Sequence, residues 1–356
     1  MKKVAIVGIQ GVPAKYGGFE TLVENIIGEN CSSNIQYTIF CSSKDYETKT
    51  DNYKGAEISY VPFFHANGIQ STPYDILSMI MCILRFDTVV VLGVSGCMFL
   101  PVFRMFFRKK LIVNIDGLEH RRAKWGSFAK WFLRTSEAMA VRFANVIIAD
   151  NKGIEDYVTE RYHKRAELIA YGGDHVMRDV TEEKQSVILE SLILKKNGYA
   201  VSVCRIEPEN NCHITLEAFA KSDMDLVFIG NWKHSGYGLE LKKRYEGYRN
   251  IHMIDSVYDL DILFTLRKNA RMYIHGHSAG GTNPSLVEAM FFGRPILAYD
   301  VVYNRATTFN KAYYFKNSDD LISLIVQPCL KGEEMRQYAE THYKWKLIAK
   351  QYEQLY

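Results

Sequence analysis

Short, continuously apolar runs recur along the chain and alternate with segments that have helical spacing. In the first half these runs fall at residues 3–9, 37–41, 57–61, 88–92, 111–115 and 145–149. Continuous rather than alternating apolar residues are typical of parallel strands that are buried on both faces. Helical spacing is present at residues 71–85, 124–143 and 152–161. This order predicts a doubly wound α/β domain.

A second series of the same kind follows a glycine turn at Gly172-Gly173 and a charged segment at 181–196. Its predicted strands are 199–204, 226–229, 251–254, 272–275 and 296–299, and its clearest predicted helices are 212–221 and 285–292. We therefore expect two Rossmann-like domains, residues 1–172 and 173–335, facing an interdomain cleft. The helical pattern over 336–356 is expected to pack back across to the N-terminal domain.

Composition narrows the class of protein. A chain of 356 residues exceeds what one core usually serves, and 47% hydrophobic residues indicate an ordinary globular protein. The seven cysteines form no CxxC pair, which argues against a zinc site and a disulfide framework and favours a reducing cytoplasm. The first apolar run stops at Gly8, so it is interpreted as a strand and not as a secretory signal. The uncharged stretch 88–103 is too short for a spanning helix.

The positive charge is concentrated in one segment. Lys and Arg outnumber Asp and Glu by 44 to 40 overall, and residues 104–134 contain nine of the basic and two of the acidic residues, interleaved with aromatic side chains. This segment predicts peripheral contact with an anionic membrane. The alternatives are a solvated helix face with its aromatic residues in the core, and nucleic-acid binding. The near-neutral second half and the lack of a nucleic-acid module disfavour the last.

Three polar loops follow predicted strands. Gly17 and Gly18 lie between the first strand and a helix, where phosphates can approach the backbone, although a plain tight turn would use the same residues. Asp116 and His120 follow strand 111–115 and could contact a sugar or accept a proton, or Asp116 could simply cap a helix. Arg205 follows the first strand of the second domain and suits phosphate pairing, unless the segment is only a surface turn.

The fourth and strongest candidate is the segment from Gly280 to Glu288. A strand ending at His275 runs into a glycine pair and a Thr-Asn-Pro-Ser cluster before a helix, so backbone amides and a helix N-terminus are presented to an anion. Glu288 lies on the first turn of that helix. There it could bind ribose hydroxyls or could serve only the helix dipole.

Together these motifs, in this order, resemble the family 4 retaining glycosyltransferases with the GT-B fold, and among them the bacterial rhamnosyltransferases of capsular and other surface polysaccharides. The resemblance implies that Gly17 and Gly18 lie near the donor phosphates, that Arg205 holds the diphosphate, and that Glu288 binds the ribose. The donor-binding residues that it implies are Gly17, Gly18, Arg205, Asn210, Gly281, Thr282, Asn283, Pro284, Ser285 and Glu288. Asp116, His120 and Arg205 are the expected catalytic residues.

Two positions depart from the wider family. The first acid of its paired-glutamate motif is replaced by Gly280, and a lysine near the diphosphate is replaced by Asn210. At both positions the sequence resembles the rhamnosyltransferase subgroup. The resemblance and these departures together imply transfer of L-rhamnose from dTDP-β-L-rhamnose to a lipid-linked saccharide with retention. No residue cluster calls for a metal or further cofactor, and the basic segment 104–134 suits a position at the inner face of the cytoplasmic membrane. A UDP- or GDP-sugar donor, or a nucleotide-sugar epimerase, remains an alternative.

Overall fold

The protein is described by a computed structural model that covers residues 1–15, 17–66, 68–122, 125–328 and 330–356. The predicted features at Tyr16, Ala123, Lys124 and Cys329 therefore lie outside the described residues. The chain forms two compact units, residues 1–171 with 345–356, and residues 172–344. The six cysteines in the described part of the chain are not bridged.

The first unit contains a mostly parallel sheet with the strand order β3-β4-β2-β1-β5-β6-β7-β8 over its described residues. Its central strands are the predicted apolar runs, and Thr88–Leu92, for example, is buried at every position. Two very short strands, β3 and β8, were not predicted. The strands are β1 (Lys2–Val7), β2 (Ile35–Ser42), β3 (Asn52–Tyr53), β4 (Ala56–Val61), β5 (Thr88–Leu92), β6 (Lys110–Asn114), β7 (Val146–Ala149) and β8 (Glu167–Leu168).

Helices connect these strands and pack on the sheet through their apolar positions. They are α1 (Gly18–Gly28), α2 (Ser71–Cys82), α3 (Leu100–Phe106), α4 (Ser127–Phe143) and α5 (Lys152–Tyr162). The stretch 88–103, predicted as strand, glycine turn and short helix, has that order, with a 3-10 turn at Cys97–Phe99 before α3. In the described part of the chain, no helix combines the length and the hydropathy that crossing a membrane requires.

The second unit contains a parallel sheet with the order β11-β10-β9-β12-β13-β14 over its described residues. Its strands are β9 (Tyr199–Val203), β10 (Asp225–Ile229), β11 (Ile251–Ile254), β12 (Met272–His275), β13 (Ile296–Tyr299) and β14 (Tyr313–Phe315). Its helices are α6 (Glu182–Ser191), α7 (Cys212–Ala220), α8 (Gly236–Tyr245), α9 (Leu260–Asn269), α10 (Pro284–Met290), α11 (Val302–Thr307), α12 (Ser318–Ile325) and α13 (Glu333–His342).

Each sheet has one point where the strand order reverses, between β1 and β5 in the first unit and between β9 and β12 in the second. Ligands of doubly wound sheets bind beyond the carboxyl ends of the strands at such a point. Glycine makes the close approach of backbones possible there. A Cβ on Gly8 would lie 2.2 Å from the Leu92 oxygen, and one on Gly276 would lie 2.2 Å from the Asn210 oxygen.

The helix predicted over 336–356 is in fact two helices. Helix α13 contacts α10 and belongs to the second unit, whereas α14 (Trp345–Gln354) belongs to the first and contacts α1. Trp345, Ile348 and Tyr352 are buried in the core of the first unit, and the Tyr352 hydroxyl accepts a hydrogen bond from Asn114 Nδ2 at 2.8 Å. The last helix is therefore a structural part of the first unit.

Candidate functional site

Two loops meet at the reversal point of the second unit. The loop after β9 and the loop after β12 are joined by polar contacts from residues of both loops. Asn211 Nδ2 donates to the Gly276 oxygen at 2.8 Å, and the Ser278 amide and hydroxyl donate to the Glu209 oxygen at 2.9 and 2.8 Å. A further contact joins the Asn210 side chain to the His277 ring. The two predicted binding segments thus form one preorganised assembly.

Arg205 presents its side chain beside this assembly. The side chain is 42% exposed, and its closest acidic partner is Glu207, with 3.9 Å between Arg205 Nη1 and Glu207 Oε1. At this distance the ion pair is loose, so the guanidinium keeps donors available for a diphosphate. The predicted alternative, a surface turn, is also present as a 3-10 turn at Pro208–Asn210. This turn brings Asn210 back to the Arg205 backbone, where its Nδ2 donates to the Arg205 oxygen.

Asn210 lies inside the loop and not on its surface. Its side chain is buried, its Nδ2 donates to the Arg205 oxygen at 2.6 Å, and its Oδ1 contacts His277 Nδ1. Both polar ends are therefore engaged within the unit. Whether Asn210 also contacts a donor stays a prediction. Its visible effect is to hold the Arg205 backbone and the His277 ring.

The segment from Gly280 to Ser285 follows β12 as predicted. Gly280 has a φ of +90°, a conformation that L residues rarely adopt. Asn283 caps α10, because its Oδ1 accepts from the Ser285 amide at 3.0 Å and from the Ser285 hydroxyl at 2.8 Å. Pro284 occupies the first helical position, where its missing N–H costs nothing, and Thr282 is buried. Gly281 lies between Gly280 and Thr282 in the turn that precedes the helix.

Glu288 lies beyond the first turn of α10 and not on it as predicted, and it is held in an ion pair that the sequence pattern did not predict. Its Oε2 accepts a hydrogen bond from Arg267 Nη2 of α9, and Arg267 is 3% exposed. His175 Nε2 lies 3.6 Å from the other carboxylate oxygen. Neither Arg267 nor His175 carries a local signal of this role, since both are distant in sequence. Ribose contact by Glu288 stays a prediction, but one of its oxygens already has a cationic partner.

The glycine loop of the first unit is closed by a carboxyl group. Glu20 Oε1 accepts from the Gln10 amide at 2.9 Å, and a Cβ on Gly17 would lie 2.0 Å from Glu20 Oε2. Gly17 has a φ of +119° and precedes Gly18, the first residue of α1. Burial raises the pKa of Glu20.

Asp116 follows β6 in the left-handed region, with a φ of 60°. Its amide donates to Asn114 Oδ1 at 3.0 Å. The helix-cap alternative is wrong, because the following 3-10 turn begins at Glu119 after Leu118. A non-glycine residue in this conformation is uncommon, although Asp and Asn are enriched there. Asp116 lies just after the end of β6, so it is at the carboxyl edge of the sheet.

His120 faces a buried carboxylate that the sequence analysis missed. Its Nδ1 lies 3.0 Å from Oε2 of Glu137, which is 2% exposed. The hydroxyls of Tyr157 and Tyr162 donate to Glu137 Oε1 at 2.8 and 2.7 Å. Burial alone would raise the pKa of Glu137, but the His120 contact and these two hydroxyls lower it below its usual value. An ionised carboxylate of this kind orients a histidine ring.

The arrangement supports anion binding in the second unit and proton handling in the first. The exposed Arg205 and the loop after β12 suit a phosphorylated ligand, and His120 beside Glu137 suits acid–base chemistry. The described residues include no group of three or more His, Cys, Asp or Glu side chains placed to hold a metal ion.

Comparisons with known proteins agree with this division into two units. Residues 184–345 match the family described as glycosyl transferases group 1, and residues 1–174 match a domain of unknown function, DUF1972. No curated protein sequence matches the chain.

Several solved structures share the whole fold. Sucrose-phosphate synthase from Thermosynechococcus elongatus superposes with a TM-score of 0.82 at 14% identity, over 100% of this chain and 98% of that one. HepE of Anabaena in complex with UDP has a TM-score of 0.76 at 13% identity, over 99% of both chains. A glycosyltransferase from Rickettsia africae has a TM-score of 0.72 at 13% identity, over 99% of this chain and 97% of that one. The predicted fold class, with two Rossmann-like α/β domains, is confirmed.

Proposed function

We propose, from the match of residues 184–345 to the family described as glycosyl transferases group 1 and from the GT-B fold, that the chain is a retaining glycosyltransferase that transfers L-rhamnose from dTDP-β-L-rhamnose. The acceptor is a lipid-linked saccharide of surface polysaccharide synthesis. The observation that carries the proposal is the pair of joined loops at the reversal point of the second sheet, with the exposed Arg205 beside them. HepE, which shares the fold, has been solved with UDP and with UDP-glucose.

Two features support a deoxy-sugar donor on a deoxyribose nucleotide. Gly280 offers no side chain to a sugar hydroxyl, and a 6-deoxy sugar asks less of that position. Glu288 already shares one carboxylate oxygen with Arg267. Thymidine lacks the ribose 2′-hydroxyl, so it presents one hydroxyl fewer for Glu288 to bind. These features favour dTDP-β-L-rhamnose over a UDP- or GDP-sugar.

The chemistry proposed is a front-face displacement with retention at the anomeric carbon. The departing diphosphate takes the proton of the acceptor hydroxyl while the new glycosidic bond forms on the same face. Arg205 and the amides of the loop after β12 stabilise the negative charge that develops on the leaving group. Asp116 or His120 serves the acceptor or the donor sugar, and Glu137 keeps the His120 ring in one orientation.

A thermal-shift screen with dTDP-β-L-rhamnose, UDP-sugars and GDP-sugars tests the donor. We expect the largest stabilisation from dTDP-β-L-rhamnose, with an Arg205→Gln variant losing most of it, and mass spectrometry should show one added deoxyhexose on a lipid-linked acceptor. Lys243→Gln, an exposed position on α8, is the matched control. Stabilisation by UDP- or GDP-sugars alone would reject the rhamnose donor, and turnover without an acceptor would favour an epimerase.

A membrane contact in the first unit is part of the proposal. Phe106 of α3 and Phe128 and Trp131 of α4 are 61%, 76% and 58% exposed, whereas Phe103 and Phe107 are buried. The alternative, a solvated helix face with the aromatic residues in the core, does not account for these three exposed rings. Exposed aromatic rings beside basic side chains favour the interface of an anionic bilayer.

Flotation with vesicles that contain anionic lipid tests this contact. We expect the protein to float at physiological salt and Phe128→Ser/Trp131→Ser to remain at the bottom. Tyr258→Ser removes an aromatic side chain that is 73% exposed in the second unit and should leave flotation unchanged. Equal flotation of all three proteins, or no flotation of the parent, would contradict the membrane contact.

A further inference from the structure

The amino-terminal edge of the second sheet carries a row of basic residues. Arg271 directly precedes β12, Arg294 lies two residues before β13, and Lys311 lies two residues before β14. These three strands are adjacent and parallel, so their amino ends share one edge with about 4.8 Å between neighbouring strands. The edge therefore has three cationic residues, one before each of three neighbouring strands.

A cavity of about 760 Å³ opens at this edge and is lined by all three residues. The segment from Leu330 to Glu333 forms another wall and adds Lys331. Gly332 lets this segment approach, because a Cβ there would lie 2.2 Å from the Arg294 carbonyl carbon. The volume lies within the range of roughly 300–1,000 Å³ that is usual for small-molecule sites.

Uncharged acceptors orient the two arginine side chains. Arg271 Nη2 donates to the Gln327 oxygen at 3.3 Å. Arg294 Nη1 donates to Asn197 Oδ1 at 2.9 Å, and its Nη2 donates to the Lys268 oxygen. All three acceptors are neutral. These contacts therefore do not offset the positive charge of either guanidinium group, and each group has further N–H donors.

The acidic residues at the cavity do not cancel this charge. Lys311 lies 3.2 Å from Glu334, but these side chains are 46% and 63% exposed, so the pair is weak and can open. Glu333 is the other acid in the lining. The lining has four cationic and two acidic residues, which leaves a net charge of about +2.

We propose that this cavity is a second anion site, separate from the donor site, and that it binds a phosphorylated saccharide. The phosphate would pair with Arg271, Arg294 and Lys331. Asn197 and Asn310 offer amide groups for sugar hydroxyls, and Tyr313 offers an aromatic face. The predicted donor site lies at the carboxyl ends of the same strands, about 13 Å away along the four residues of β12.

Isothermal titration of the full chain with three probes tests the site. Glucose 6-phosphate should bind most tightly, inorganic phosphate more weakly, and glucose should give no heat. In Arg271→Gln/Lys331→Gln the affinity for glucose 6-phosphate should fall at least about ten-fold, because charge-assisted hydrogen bonds are lost. If the double variant does not fold, Lys331→Gln alone serves as the test. It changes an exposed side chain, and the affinity should fall by a smaller factor.

Two controls separate this site from the donor site. Lys243→Gln removes an exposed charge on α8 and should leave the affinity unchanged. Arg205→Gln should also leave it unchanged, since that residue lies at the opposite edge. Loss of binding in Arg205→Gln with retention in the double variant would overturn the proposal. So would equal binding of glucose, or no heat from either phosphate probe, and none of these readouts depends on transferase activity.

Discussion

Gly280 combines a positive φ with an uncrowded α-carbon. Its φ is +90°, and the nearest atom to an added Cβ would be His277 Nε2 at 3.6 Å. Backbone conformation, and not crowding, is therefore what selects glycine there. The family acid that the resemblance leads us to expect at this position could not be restored without strain.

Replacing Gly280 with Glu should destabilise the second unit without improving donor binding. A left-handed conformation costs an L residue roughly 1–2 kcal/mol, and Gly280→Ala should show the same loss because it shares the backbone cost. Calorimetry of both variants measures it. Gly236→Ala, where an added Cβ meets nothing within 4 Å, is the control. A stable Gly280→Glu protein with tighter donor binding would contradict this view.

Asp75 makes the stability of the first unit depend on pH. It is fully buried against the turn after β5, accepts a hydrogen bond from the Ser95 hydroxyl, and burial raises its pKa to about 7. Between about pH 4 and pH 7 the folded state retains a proton that the unfolded chain has released. The contribution of Asp75 to the free energy of unfolding therefore falls as the pH rises through this window, by up to about 4 kcal/mol.

Asp75→Asn should remove most of this dependence. Relative to the parent, the variant should gain stability at pH 8 compared with pH 5, because it has no charge to bury. Hydrogen exchange of the β5 amides at the two pH values measures the difference. Asp51→Asn, at an exposed position, controls for the loss of a charge. An equal change at both pH values would show that Asp75 does not titrate in this window.

At the scale of elements, the ion pair between Arg267 and Glu288 joins α9 to α10. Arg267→Met would leave a carboxylate that is 16% exposed without its closest cation, and we expect a loss of about 3 kcal/mol from the second unit. Lys268→Met on the same helix breaks an exposed pair with Glu182 and a cation–π contact with Phe264, and should cost less than the loss of the buried pair, about 1 kcal/mol. Hydrogen exchange of the β12 amides measures the loss of stability in each variant. Equal losses would mean that the buried pair contributes no more to stability than the exposed pair.

Elements were predictable where burial is continuous in sequence. Strands β5, β12 and β13 begin and end at the predicted residues and are buried at nearly every position. Strand β11 also matches its predicted bounds, although three of its four residues are only half-buried. The two-residue strands β3 and β8 have no such buried run. The site divides in the same way. Arg205 and the loop after β12 follow strands and could be found, whereas Glu137 and Arg267 reach the site only through tertiary packing.

At the scale of the whole molecule, α14 completes the core of the first unit after the chain has formed the second. Tyr352→Ala should lower the unfolding free energy of the first unit by about 3 kcal/mol, since it removes a buried ring and the acceptor of Asn114. Leu347→Ala, on the same helix and 36% exposed, should cost much less. Hydrogen exchange should show the loss in β6 and leave β12 unchanged. A loss confined to β12 would contradict the assignment of α14 to the first unit.

The position of α14 also sets the order in which the protein can mature on the ribosome. The first 171 residues leave the exit tunnel long before residues 345–356, so their apolar face for α14 stays uncovered while the whole second unit is synthesised. The second unit can fold as soon as residue 344 has emerged. The segment made first is thus completed last, and its uncovered apolar face is exposed to non-native contacts during translation.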